Sequence, residues 1–172
     1  MSCVNAVGEY TPVYAIIRIR GVVNSPSDVN YTLKLLRLHK KYHCVLYPAS
    51  LPGLKNMLLK IASWATWGEI DRDTLILLLR ERGAVPGNKK LTDEYVDKYL
   101  AQYGIRGGIE ALADAILQGK IMLHRVDHLV KPVFRLHPPH GGFKRSTRKP
   151  FSQGGELGYR GPAINDLLKR MI

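Results

Sequence analysis

The sequence predicts an α/β (α+β) fold: a β-α-β-α-β unit within residues 1–70, a helical segment over 71–119, and a C-terminal strand, basic loop and helix over 120–172. Three observations carry that prediction. Short alternating or apolar runs mark strands in the first part, helix caps and apolar periodicity mark the middle, and Gly, Pro and basic residues crowd the end. With 172 residues, 45% of them hydrophobic and 23% charged, the chain is long enough to bury a core without disulfides or a structural metal.

Residues 13–20, VYAIIRIR, alternate so that Ala15, Ile17 and Ile19 point one way and Tyr14, Ile16, Arg18 and Arg20 the other, a strand with a basic, aromatic-tipped face. SPSD then starts a helix, with Ser25 as the cap, Pro26 at the first helical position and Asp28 in the first turn; the helix is expected to reach about Lys40. Val29, Leu33 and Leu36 take core spacing, and Lys34, Arg37 and Lys41 form a basic stripe. Alone, such a stripe is a solvated face; beside Arg18 and Arg20 it makes a patch. HCVLYP, residues 43–48, is a buried strand, Leu54, Met57, Leu58 and Ile61 mark a second helix after Pro52-Gly53, and Trp64 to Ile70 is a third strand. Trp64 and Trp67 are expected in the packing between helix and sheet.

In the middle, Asp71 caps a helix that Gly83 ends, Thr92 caps a second that Gly104 ends, and IEALADAILQG is a third. Asp71, Asp73, Asp93 and Glu94 sit in first turns, where they complement the helix dipole, a structural use of carboxylates that argues against catalytic pairs.

The charge balance points to a polyanion. The chain carries 26 Lys plus Arg against 14 Asp plus Glu, a net +12. Residues 1–47 contribute +4, residues 48–119 cancel, and residues 120–172 contribute +8. The basic ends thus flank a neutral middle suited to packing or protein contact. After the strand VFRL, His137 to Gly161 hold nine Gly or Pro and five basic residues, with Glu156 the one acidic group. This stretch is expected to be a tethered loop, too poor in apolar side chains to order alone, whose basic groups meet phosphates and whose Phe143, Phe151 and Tyr159 stack on bases.

Enzyme chemistry finds little foothold. No phosphate-binding P-loop, zinc-protease or serine-hydrolase motif occurs, and GGELGYRG lacks the preceding strand of a dinucleotide site. The pairs His124/His128 and His137/His140 find no further ligands to complete a metal site, so no cofactor is expected. Cys3 and Cys44 form no CxxC pair. The longest apolar run, Leu75 to Leu79, is far short of a membrane span and the N-terminus lacks a secretory pattern, so a cytoplasmic protein without membrane contact is expected. One enzymatic alternative is an acylphosphatase-like, phosphate-processing activity, with Arg18, Arg20 and Asn24 holding an anion where a strand meets a helix.

The stretch YAIIRIRGVVNSPSDVNYTLKLLRLHKKYHCVLYP resembles the opening βαβ of the large-subunit ribosomal protein family numbered thirty, in its archaeal form, whose eukaryotic counterpart is numbered seven. WGEIDRDTLILLLRERG, and KPVFRLHPPHGG through GGELGYRGPAINDLLKRM, resemble the archaeal and eukaryotic extension, so nearly the whole chain is covered. The resemblance implies a ferredoxin-like core and a non-catalytic structural protein of the large ribosomal subunit. It implies binding to large-subunit (23S-type) ribosomal RNA near the 5S RNA, among other large-subunit ribosomal proteins. By that similarity RNA contact is expected at Arg18, Arg20, Lys34, Arg37, Lys41, Arg135, His137, Lys144, Arg145, Arg148, Lys149 and Arg160.

Overall fold

The computed structural model describes residues 11–172; the expectations for Cys3 and the extreme N-terminus lie outside them. Strand β1 (Val13–Arg18) is followed by α1 (Ser27–Leu35), β2 (His43–Pro48), α2 (Leu54–Lys60) and β3 (Ala65–Glu69), the order expected of the opening unit. Helix α3 (Arg72–Arg82) leads into a small hairpin, β4 (Ala84–Val85) and β5 (Lys89–Lys90), and then α4 (Asp93–Tyr99) and α5 (Gly108–Leu117). The chain ends with β6 (Val133–Arg135), β7 (Ser146–Pro150), β8 (Gly155–Tyr159) and α6 (Ile164–Met171).

Six strands form one sheet in the order β6-β2-β1-β3-β8-β7. The first four pair antiparallel, whereas β8 runs parallel to both β3 and β7. Both faces are covered. Ile16, Val45, Tyr47 and Trp67 pack with Leu33 of α1 and Leu54 and Leu58 of α2 in one core. Val13, Ala15, Ile17, Leu46, Phe134 and Leu157 pack in a larger core with residues of α3 to α6. Such two-sided coverage is how a central strand comes to be apolar throughout. It corrects the expected basic face of β1: Ile16 is fully buried, and Arg18 lies inside. Both tryptophans are buried, in the smaller core as expected.

The middle helices follow their caps. Asp71 accepts from the Thr74 N–H at 2.7 Å and Thr92 from that of Tyr95 at 3.3 Å. Asp93 also accepts from the Ile109 N–H at 2.8 Å, and Asp97 from those of Gly107 and Gly108, so α4 caps the start of α5 with its own carboxylates. The two backbone bonds to Asp97 hold its carboxyl below the usual carboxylate range. The neutral middle therefore packs as the layer over one sheet face.

Two elements differ from expectation. Helix α1 stops at Leu35 rather than near Lys40, because Arg37 adopts a left-handed backbone with φ of 63°. Leu38 N–H then bonds Leu33 O and Arg37 N–H bonds Lys34 O, a Schellman turn sealed by burial of Leu33 and Leu38 in the same core. Ser25 does not cap the helix; Pro26 holds that position, and the Ser25 hydroxyl turns to Val22 O and the Asn30 side chain. The second difference is larger. Residues 137–161 are not one loop but carry β7 and β8, and β8 sits inside the sheet with Gly155 to Gly158 buried.

Candidate nucleic-acid interface

The residues just past β1 and the turn before β2 meet the start of the C-terminal basic strip. Arg20, Gly21, Lys41, Tyr42, Phe143 and Thr147 line a cleft of about 330 Å³. Tyr42, at φ of 65°, stacks with Phe143 at 6.4 Å between ring centroids, and Lys41 Nζ lies 5.2 Å from the Tyr42 ring. The Arg20 guanidinium lies 4.4 Å from the Trp64 ring centre, over its face, and reaches the Ser63 carbonyl at 3.3 Å. Packing on aromatic faces fixes cationic groups without neutralising them, which leaves their charge for an outside anion. From this cleft Lys144 and Arg145, just before β7, and Arg148 and Lys149 on it continue a basic strip, all exposed. The Arg145 guanidinium lies 5.0 Å from the Phe151 ring centre. Charge that is far apart along the sequence is therefore contiguous in space.

The expected contact residues divide into groups. Arg20 and Lys41 face the cleft, and Lys144, Arg145, Arg148 and Lys149 line the strip beside it. His137 is exposed, its N–H bonded to Met171 O. Lys34 is exposed on α1, while Arg37 pairs with Asp127 at 3.1 Å, so the two do not share a helical stripe with Lys41. Arg135 is exposed on β6, where its register partner is His43, next to Tyr42. Burial, and after it the neighbouring Arg135 cation, pushes the His43 imidazole below its ordinary value.

Arg18 and Arg160 are corrections. Arg18 is 2% exposed and donates to the carbonyls of Arg20 and Leu38, each at 2.8 Å, and of His39 at 3.3 Å. Its work is to tie the end of β1 to the turn that closes α1. Burial alone lowers its pKa from the ordinary value. Its Nε and Nη1 are committed to backbone carbonyls, whereas the enzymatic alternative needed the guanidinium to hold an anion. Arg160 is 7% exposed, donates to Thr66 Oγ1 at 2.8 Å, and forms an ion pair with Glu156 at 2.7 Å with both side chains 5% exposed. Burial lowers its pKa, opposed by its hydrogen bond to Glu156. Glu156 also accepts from the Arg145 N–H at 3.1 Å, so the one carboxylate of the segment anchors it internally.

Sequence reasoning missed Tyr42 and Thr147. The signal for Tyr42 was the basic-aromatic run Lys40-Lys41-Tyr42; for Thr147 none existed. Of the aromatics expected to stack on bases, Phe143 rests on Tyr42, Phe151 lies beneath two guanidinium groups, and Tyr159 stands half exposed with its hydroxyl donating to Glu69 at 2.6 Å. Among the described residues no cluster of His, Cys, Asp or Glu is arranged to hold a metal ion, and no helix is long and apolar enough to cross a membrane.

Comparison with known proteins places this surface in context. The family model described as ribosomal protein L30p/L7e matches residues 14–64, the stretch from β1 to the end of α2 and beyond. The large ribosomal subunit protein uL30 of Staphylothermus marinus is 66% identical over 160 residues, covering 93% of this chain and 98% of that protein. Its namesake in Hyperthermus butylicus is 61% identical, covering 93% of this chain and 90% of its own length. That of Methanococcus maripaludis is 44% identical over 92% of this chain and 99% of its own. With identity this high over more than nine-tenths of its length, the chain belongs to the ribosomal protein L30p/L7e family.

Proposed function

We propose that this protein is a structural, non-catalytic constituent of the large ribosomal subunit that binds its ribosomal RNA through the Arg20–Lys41 cleft and the adjoining β7 strip. The observation that carries the proposal is the convergence of two basic segments, remote in sequence, on one cleft in a member of this family. Exposed cations of this kind position an RNA backbone, and the stacked Tyr42–Phe143 pair lies beside it. Other large-subunit ribosomal proteins are its neighbours, and a position near the 5S RNA fits the same reading.

Co-sedimentation tests it. The full chain should migrate with large subunits and crosslink to 23S-type RNA through Lys41 and Lys144; a chain that stays in the supernatant would sink the proposal. Crosslinks to 5S RNA are expected in the same experiment, and their absence would remove only the 5S placement. If roughly six to ten phosphates are engaged, affinity for the free RNA falls about 10³ to 10⁵-fold between about 50 and 200 mM salt.

A further inference from the structure

The middle segment, neutral by count, is not neutral in space. At the β6 edge a groove of about 290 Å³ opens between the end of α3, the β4–β5 hairpin and β6. Five cations line it: Arg82 from α3, Lys89 and Lys90 from the hairpin, and Lys131 and Arg135 from the segment entering and forming β6. Against them stands one lining carboxylate, Glu81, 3.5 Å from Lys90 Nζ. Lys89 and Arg135 have no ion pair among the described residues. Arg82 spends one nitrogen on the Ile172 carbonyl at 2.7 Å, while its buried Nε has no partner.

The hairpin holds these charges in place. Its turn passes through Gly87 and Asn88 with φ of 90° and 60°, a backbone that glycine and asparagine tolerate. The Asn88 side chain accepts from Lys131 Nζ, and Lys131 N–H bonds Ala84 O at 2.8 Å, which fastens the hairpin to the chain entering β6. Like charges crowded by a fixed scaffold repel one another in the free protein, and a polyanion relieves that repulsion.

The groove also adjoins the interface already described. Arg135 pairs in register with His43, and Leu136 N–H bonds Tyr42 O at 3.1 Å, so its outer edge is one residue from the cleft wall. No aromatic ring lines it. The fit is to phosphate rather than to bases. We infer that this groove is a second site for the RNA backbone, so that the ribosomal RNA track continues from the Lys41–Tyr42 cleft around the β6 edge onto the β4–β5 hairpin. The inference rests on the RNA-binding reading proposed above and assigns the middle segment a part in it.

The test compares two double variants of the full chain. Lys89→Glu/Lys90→Glu alters the groove, and Lys55→Glu/Lys60→Glu makes the same charge change on the exposed face of α2. Binding to large-subunit ribosomal RNA transcribed in vitro is titrated from about 50 to 200 mM salt. With two fewer phosphates engaged, at a slope of about 0.9 each, the hairpin variant's salt response flattens by roughly tenfold over that range. The α2 variant should keep the wild-type slope. Equal flattening in both would make the effect one of net charge and overturn the groove; so would an unchanged slope in the hairpin variant. Lysine acylation of the wild-type complex, read by mass spectrometry, should show Lys89 and Lys90 protected by RNA, and full reactivity there would overturn the site. Failure of the wild-type chain to bind would instead strike at the RNA-binding reading itself.

Discussion

Strands β7 and β8 are neighbours in the sheet and come from one glycine-, proline- and arginine-rich stretch, yet β7 lies in solvent and β8 in the core. Serine, threonine and basic side chains of β7 are exposed or half-buried along its length, whereas Gly155, Glu156, Leu157 and Gly158 of β8 are buried. Position explains the difference. β8 lies between β3 and β7, so its backbone groups are paired on both sides, while β7 is the edge. Arginine and lysine on an edge strand discourage pairing with another chain, and their charge stays free for the RNA backbone proposed above. An arginine one strand inward, Arg160, needs its own carboxylate. Basic residues that look alike in sequence are therefore of two kinds, and composition does not separate them.

The largest effect should come from breaking the inner pair. With Glu156 and Arg160 both buried, Arg160→Ala leaves a buried carboxylate without its cation, a loss of about 3 to 5 kcal/mol. Glu156→Ala should cost as much, and a thermal or urea unfolding curve reads both. If Arg160→Ala unfolded normally but failed to bind RNA, Arg160 would belong with the β7 strip and the distinction between the strands would collapse.

A smaller loss is expected at the close approach that seats β8. A Cβ on Gly68 in β3 would overlap the backbone carbonyl of Gly161, just past β8, and backbone cannot rotate away as a side chain can. Gly68→Ala should lower stability by about 1 to 3 kcal/mol, the usual cost of overpacking. A variant as stable as the parent would mean that this turn is loosely held.

Outside the core the pattern should reverse. Arg148→Ala and Lys149→Ala on β7 remove exposed groups, so stability should stay within about 0.5 kcal/mol. RNA affinity should drop instead, with the salt slope reduced by about 0.9 for each phosphate that is no longer neutralised. Lower stability with an unchanged slope would assign β7 to packing.

What the sequence made legible follows the same division. The five opening elements, the caps at Asp71 and Thr92 and the burial of both tryptophans depend on local signals, and each was readable. The end of α1 was not, since the left-handed residue of its Schellman turn is Arg37 rather than glycine. Nor was β8, because its glycines read as loop punctuation until the strands that flank it are known; a Cβ on Gly155 would overlap the Lys149 backbone. The cleft was half legible. Arg20, Lys41 and the strip from Lys144 to Lys149 stand out by charge, but their convergence is set by tertiary pairing. Burial likewise took Arg18 and Arg160 out of the expected surface set, and no pattern within the sequence distinguishes an exposed cation from one that meets a buried carbonyl.

The smallest predicted effect lies on the outward side of β8, where Tyr159 tests whether that strand is rigid even at its exposed residue. Its hydroxyl donates to Glu69 at 2.6 Å, and its ring stands edge-on to Tyr14 at 6.3 Å. That hydrogen bond, with lesser contributions from burial and from the Glu69 charge, pushes the phenol up to about 12. A folded value above the ordinary one, about 10, means that the contribution to stability is complete below about pH 10 and is lost as pH rises toward 12. The ring is half exposed, so solvent screens the bond and its contribution is modest. Tyr47 and Tyr95 are also raised, by burial, so the useful measurement is the difference between the phenolate absorbance titrations of the parent and Tyr159→Phe. That difference should show one phenol ionising near pH 12. If it ionised near the ordinary value of about 10, the Glu69 bond would not persist in solution, and the exposed side of β8 would be as free as that of β7.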